Sequence, residues 1–235
     1  ESKRLAPEII DEPDSALLEK LHLCEGRSLK RAAVLLFHSD PEAFVTGAFV
    51  KIGFFRSPSE LLYHDEVKGT LFAQVDACLE LLQTKYLKAA IHYRGVQRIE
   101  SLPVPEAALR EVLLNALVHR DYAVAAPVQI RVYEDKLSLW NPAVLPQGWT
   151  LEKLRGDHPS VPFNPDIANT FFRAGEIEAW GRGIHRIFEA CRDAGTPEPR
   201  LSFETGEFLV EFPFSAQYQE LLGVVSRRGA KTRAK

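Results

Sequence analysis

The stretch EVLLNALVHRDY, residues 111–122, sets Glu111, Asn115 and His119 one turn apart inside an otherwise apolar run. At 100° per residue these three span about 80° of a helix. Leu109, Leu113, Ala116 and Leu117 form a core-facing stripe roughly opposite them. Val112, Leu114 and Val118 flank the polar stripe, so it is not a fully wet one. Two readings stay open at this point: a solvated helix face, or a site built into a buried helix.

Composition narrows the surroundings. With 46% apolar and 26% charged residues the 235-residue chain is an ordinary globular sequence, able to bury a substantial core. A net charge of −3 gives no global basic field for nucleic acid. Arg227, Arg228, Lys231, Arg233 and Lys235 do cluster at the C-terminus, as a solvated tail or as a nucleic-acid arm. Cys24, Cys78 and Cys191 have neither metal-ligand spacing nor an even count for a disulfide frame. They read as thiols of a reducing, cytoplasmic compartment. No apolar run approaches a membrane span, and no membrane partner is expected. The chain holds no methionine and is expected to be a piece of a longer protein lacking an N-terminal domain.

Patterning predicts elements along the chain. A short helix lies near Ala16 to Leu23, and the apolar run Ala32–Phe37 suits a buried strand. Gly47–Arg56 is rich in aromatic and β-branched residues, as a strand is. Apolar residues at spacings of 3 and 4 predict one long helix between His64 and Leu87. Tyr93–Glu100 alternates like an exposed strand. Pro105 and Glu106 open the helix of the polar stripe. Val128, Ile130 and Val132 begin a hairpin that turns at EDK and returns through LSLW. NPAVLPQG, from Asn141 to Gly148, breaks that strand. RGDHPSVPFNP is too rich in Pro and Gly for regular structure. Helices over Pro165–Arg173 and after the Gly181–Gly183 pair follow, then a hairpin turned at Thr205 and Gly206. Strands mixed with helices and hairpins predict an α/β (α+β) chain, with helices on one face of a mixed, mostly antiparallel sheet.

Several chemistries are excluded. HRDY echoes the kinase catalytic loop, but Ala126 stands where that loop needs asparagine, and DFG is absent. No GxxxxGK[ST] loop supports a P-loop ATPase or a helicase motor. GRGIHR lacks the third glycine of a dinucleotide fingerprint. His119 with Glu111 lacks a third metal ligand.

Three segments in order carry a resemblance: E-x-x-x-N-A-x-x-H on a helix, LSLWNPAVLP at a strand end, and GRG at a helix start. That order resembles the Bergerat ATP-binding fold of the gyrase, chaperone, histidine-kinase and MutL superfamily (GHKL). Leu109 to Phe214 resembles the divergent ATPase-like domain beside Schlafen/AlbA-type DNA-binding domains, a family often labelled RecG-related helicase or transcriptional regulator. The resemblance implies a Bergerat-like two-layer sandwich over residues 101–214. A smaller α/β segment over 1–100 would precede it, and a basic tail or linker over 215–235 would follow.

It also implies ATP and Mg²⁺ as ligands. Asn115 would hold the metal and contact the nucleotide, and Glu111 would be the catalytic base that orients water. His119 would border the nucleotide, near ribose or adenine. Asn141 stands where the superfamily's adenine-reading aspartate would be, and Gly181 and Gly183 would let backbone approach phosphate. Residues 155–166 stand where the superfamily carries a mobile lid. Ala143 and Val144 replace the family's glycines after Asn-Pro, and Phe163 replaces an arginine. The function implied is an ATP-binding regulatory module of a DNA-binding regulator, with slow or no hydrolysis. DNA would be engaged through the missing domain or the basic tail, and a homodimer is compatible with this. A pseudo-ATPase scaffold that binds no nucleotide is the alternative.

Overall fold

The computed structural model describes residues 12–178 and 180–223, and at 92–94, 98 and 99 the backbone alone. The basic residues expected to form a tail or arm lie outside the described residues. The chain begins with α1 (Asp14–Lys20), the small ribbon β1 (Cys24–Glu25) and β2 (Ser28–Leu29), and α2 (Arg31–Phe37). Strands β3 (Val50–Ser57) and β4 (Glu60–Val67) follow, then α3 (Leu71–Leu81) with a π-helical turn at Leu82–Tyr86. A hairpin of β5 (Ala90–Arg94) and β6 (Gln97–Ser101) leads into α4 (Glu106–His119). Next come β7 (Val128–Val132), β8 (Lys136–Pro142), α5 (Leu151–Arg155), α6 (Pro165–Ala174) and α7 (Gly183–Asp193). Strands β9 (Arg200–Glu204) and β10 (Glu207–Pro213) and helix α8 (Ala216–Leu221) complete the described chain.

Six strands form one sheet in the order β4-β3-β7-β8-β10-β9. Only the β3–β7 pair is parallel, so the sheet is mixed and mostly antiparallel, as the patterning predicts. Alternation explains its two sides. Val128, Ile130 and Val132 of β7 are buried, whereas Gln129 and Arg131 are not. The buried face joins the helices in one core that includes Leu113, Leu117, Phe171 and Ile187. The β9–β10 turn needs two residues with positive φ, and Thr205 (51°) and Gly206 (83°) supply them. Strands β3 and β4, from the upstream segment, extend the same sheet through the parallel pair.

Three expected elements differ. Ala32–Phe37 lies in α2, not in a strand; a six-residue apolar run has no period of its own, and the buried Ala33, Leu35 and Leu36 settle it by packing. The helix expected from His64 starts only at Leu71. Residues 60–67 pair with β3, and Thr70 caps α3 by accepting from the Ala73 amide at 3.1 Å. The strand expected at Tyr93–Glu100 is a hairpin, reversed at Gly95 with φ 63°. Among the described residues no helix is long and apolar enough to cross a membrane.

Candidate functional site

Helix α4 carries the polar stripe, and the way it ends builds the site. Its last carbonyls have no partner within the helix. Asn141 Nδ2 donates to the Ala116 carbonyl at 3.1 Å, and the Tyr122 hydroxyl donates to that of Leu117 at 3.1 Å. Asn164 donates to the Val118 carbonyl from its backbone amide and from Nδ2. Three separate segments are thereby tied to one helix end. The HRDY string serves the same purpose. Arg120 is buried, donates to the Val124 and Ala126 carbonyls, and lies 4.7 Å from the Tyr122 ring centroid.

Beside this end lies a cavity of about 130 Å³ between α4, α7, β8, β10 and the stretch 158–162. Glu111, Asn115, His119, Asn141, Gly181 and Gly183 all line it. The polar stripe therefore faces a cavity inside the protein. The rest of the wall is largely apolar and includes Val112, Leu139, Ile184 and Val210.

Asn141 is 2% exposed, on the same parity of β8 as the buried Leu137 and Leu139. A carbonyl accepts only, so its contact with Ala116 fixes nitrogen toward the helix. Its Oδ1 is then buried with no partner. An unmet buried acceptor costs on the order of 1–3 kcal/mol, so this oxygen calls for a donor from a ligand.

The Glu111 side chain is 13% exposed and lies 3.7 Å from Arg186, which also pairs with Glu178. Burial first, then Glu178, raises its pKa above the ordinary carboxylate value, while Arg186 and Asn115 pull the other way. Asn115 Nδ2 approaches Glu111 Oε1 at 3.5 Å, leaving Asn115 Oδ1 available. Among the described residues no group of three His, Cys, Asp or Glu could hold a metal. The donor set for a cation here is one amide oxygen, which fits Mg²⁺ only if phosphates and water supply the remaining oxygens.

The two glycines are steric necessities. A Cβ at Gly183 would lie 2.7 Å from Glu111 Oε1 and 2.8 Å from Asn115 Nδ2. Gly181 has φ 69°, and its Cβ would meet the His158 carbonyl oxygen at 2.3 Å. They let the first turn of α7 approach the polar stripe and the stretch 156–162 at once. Phe163 is 43% exposed and lines a different cavity with Lys30, so it does not fill the site. Trp149, His158, Glu178 and Arg186 also reach the site, and patterning did not single them out. The Asn164-Pro165 pair before a helix is visible in the sequence, but the role of Asn164 in closing the end of α4 is not.

Residues 125–212 match a family model described as "Putative ATP-dependent DNA helicase recG C-terminal". Over that span the chain is similar to a family of ATPase-like domains. The matched span holds Asn141, Gly181 and Gly183 and begins after the Glu111–His119 stripe. The crystal structure of the DIP2311 protein from Corynebacterium diphtheriae is similar, with a TM-score of 0.73 at 21% identity over 89% of this chain. At that identity the likeness is one of fold. This chain spans 42% of the length of that protein. No curated protein matches the chain.

Proposed function

We propose that the chain is an ATP-binding regulatory module that requires Mg²⁺ and hydrolyses slowly or not at all. It would act together with a DNA-binding domain. The supporting observation is Asn141 Oδ1, a buried, unmet acceptor in an apolar cavity within an ATPase-like domain. The exocyclic amine of adenine donates; the O6 edge of guanine does not. Asn115 would hold Mg²⁺ through Oδ1, and the bound ion would neutralise phosphate charge. The open first turn of α7 at Gly183 would offer amides to phosphate. Glu111, made more basic by burial, would orient and deprotonate water. No motor activity is assigned, since the chain has no P-loop lysine.

The cavity is smaller than the roughly 300–1,000 Å³ of most ligand pockets, so residues 156–162 must shift for a nucleotide to enter. The close seating of Gly183 on Glu111 and Asn115 favours a second reading, a pseudo-ATPase scaffold held shut. Calorimetry with ATP, with and without Mg²⁺, separates the two. Binding is expected only with Mg²⁺, and Asn115→Ala should weaken it at least about tenfold, the value of a lost charge-assisted contact. No binding to the parent chain would leave the scaffold; unchanged affinity in Asn115→Ala would move the metal elsewhere. Where turnover is detected, Glu111→Gln should abolish it and keep binding near parental strength. Equal rates in mutant and parent would remove Glu111 from the chemistry.

A further inference from the structure

A second unmet polar atom lies in the same wall. His158 lines both the cavity and an open cleft beside it. Its Nδ1 sits 2.9 Å from the Pro159 carbonyl oxygen. That oxygen can only accept, so Nδ1 donates to it and Nε2 is the ring atom left to accept. Nε2 is buried and has no partner. The ring is not free to turn away. Trp149 packs edge-on at 4.9 Å between centroids, and Gly181 presses against the His158 backbone carbonyl.

The wall therefore presents two fixed acceptors that want donors, Asn141 Oδ1 and His158 Nε2. In an adenine nucleotide the base offers its amine to the first. Phosphate oxygens cannot satisfy the second, because they accept as well. The donors left are the sugar hydroxyls.

We propose that His158 is a specificity residue that accepts a hydrogen bond from a ribose hydroxyl, so that the site selects ribonucleotides over deoxyribonucleotides. This rests on the adenine-nucleotide reading above, and its test is chosen to fail separately. Affinities for ATP, 2′-deoxy-ATP and 3′-deoxy-ATP, each with Mg²⁺, are measured by calorimetry for the parent chain, His158→Phe and His158→Gln. Phenylalanine keeps the packing on Trp149 without the lone pair, and glutamine restores an acceptor.

The parent should bind ATP about three- to tenfold more tightly than one of the deoxy analogues, the worth of one hydrogen bond. The analogue that loses affinity identifies the hydroxyl. His158→Phe should bind ATP and that analogue equally, and His158→Gln should recover part of the preference. Equal binding of all three nucleotides by the parent overturns the ribose assignment and leaves the nucleotide reading standing. A preference that survives in His158→Phe overturns it too, as does equal weakening of all three in that variant, which would mark a phosphate contact. If none binds the parent, the nucleotide reading and this assignment fall together.

Discussion

Gly181→Ala should lower the thermal midpoint by about 5–15 °C, the shift expected of a loss of roughly 2–5 kcal/mol in a chain of this size. Two costs add. An L-residue at φ 69° costs on the order of 1–2 kcal/mol. Its Cβ would also sit 2.3 Å from the His158 carbonyl oxygen, a backbone atom that cannot rotate aside. Forcing that separation open costs typically about 1–3 kcal/mol more. Gly148→Ala is the control. That glycine has φ 76°, yet its Cβ would meet nothing within 4 Å, so the backbone cost alone remains. If the two variants melt together, residues 156–162 are not seated on Gly181 as described.

The same contact explains why the site was only partly legible in the sequence. Periodicity announced what is local. The β7–β8 hairpin, the Thr205–Gly206 turn and the helices after Pro165 and Gly183 follow from alternation, turn chemistry and caps. Where two periods overlap, patterning fails. Val67 stands four residues before Leu71 and so continues the helical spacing of α3, although it belongs to β4. Only Gly69, with φ 103°, and the Thr70 cap mark the break. Ala32–Phe37 shows the other limit, since a short apolar run is helix or strand according to what covers it.

The polar stripe was visible because three groups one turn apart on an apolar helix lack a structural reason of their own. That they share a cavity with Asn141, Gly181 and Gly183 depends on long-range packing of α4 against α7 and β8. His158 and Trp149 left no signal. Each is an ordinary residue in a loop, and what distinguishes His158 is an unmet lone pair, which exists only in three dimensions. Asn141 lies between these cases. Its place at a strand end was readable, but its two roles, donor to the Ala116 carbonyl and unmet acceptor toward the cavity, were not.

His119 should make the protein acid-sensitive in a definite window. Burial among apolar neighbours, with the nearby His158 adding, lowers its pKa to about 4, against an ordinary imidazole near 6.5. Between those two values the unfolded chain binds a proton that the folded chain refuses. Stability is therefore constant in this respect above pH 6.5, falls as pH is lowered, and levels off below pH 4. The gap corresponds to a loss of about 3 kcal/mol at most, and about 2–3 kcal/mol of it should be reached by pH 4.5. Other groups respond to acid as well. Asp65, held low by Lys85 and Tyr86, loses its stabilising contribution only below the ordinary carboxylate range, and Glu111, raised by burial, works in the opposite direction to His119. The comparison must therefore be a difference between two chains. His119→Phe fills similar space and carries no proton, so it should lose about 2–3 kcal/mol less than the parent between pH 7 and pH 4.5, read from urea midpoints at each pH. Equal losses in the two chains would mean that the folded protein accepts the proton on His119.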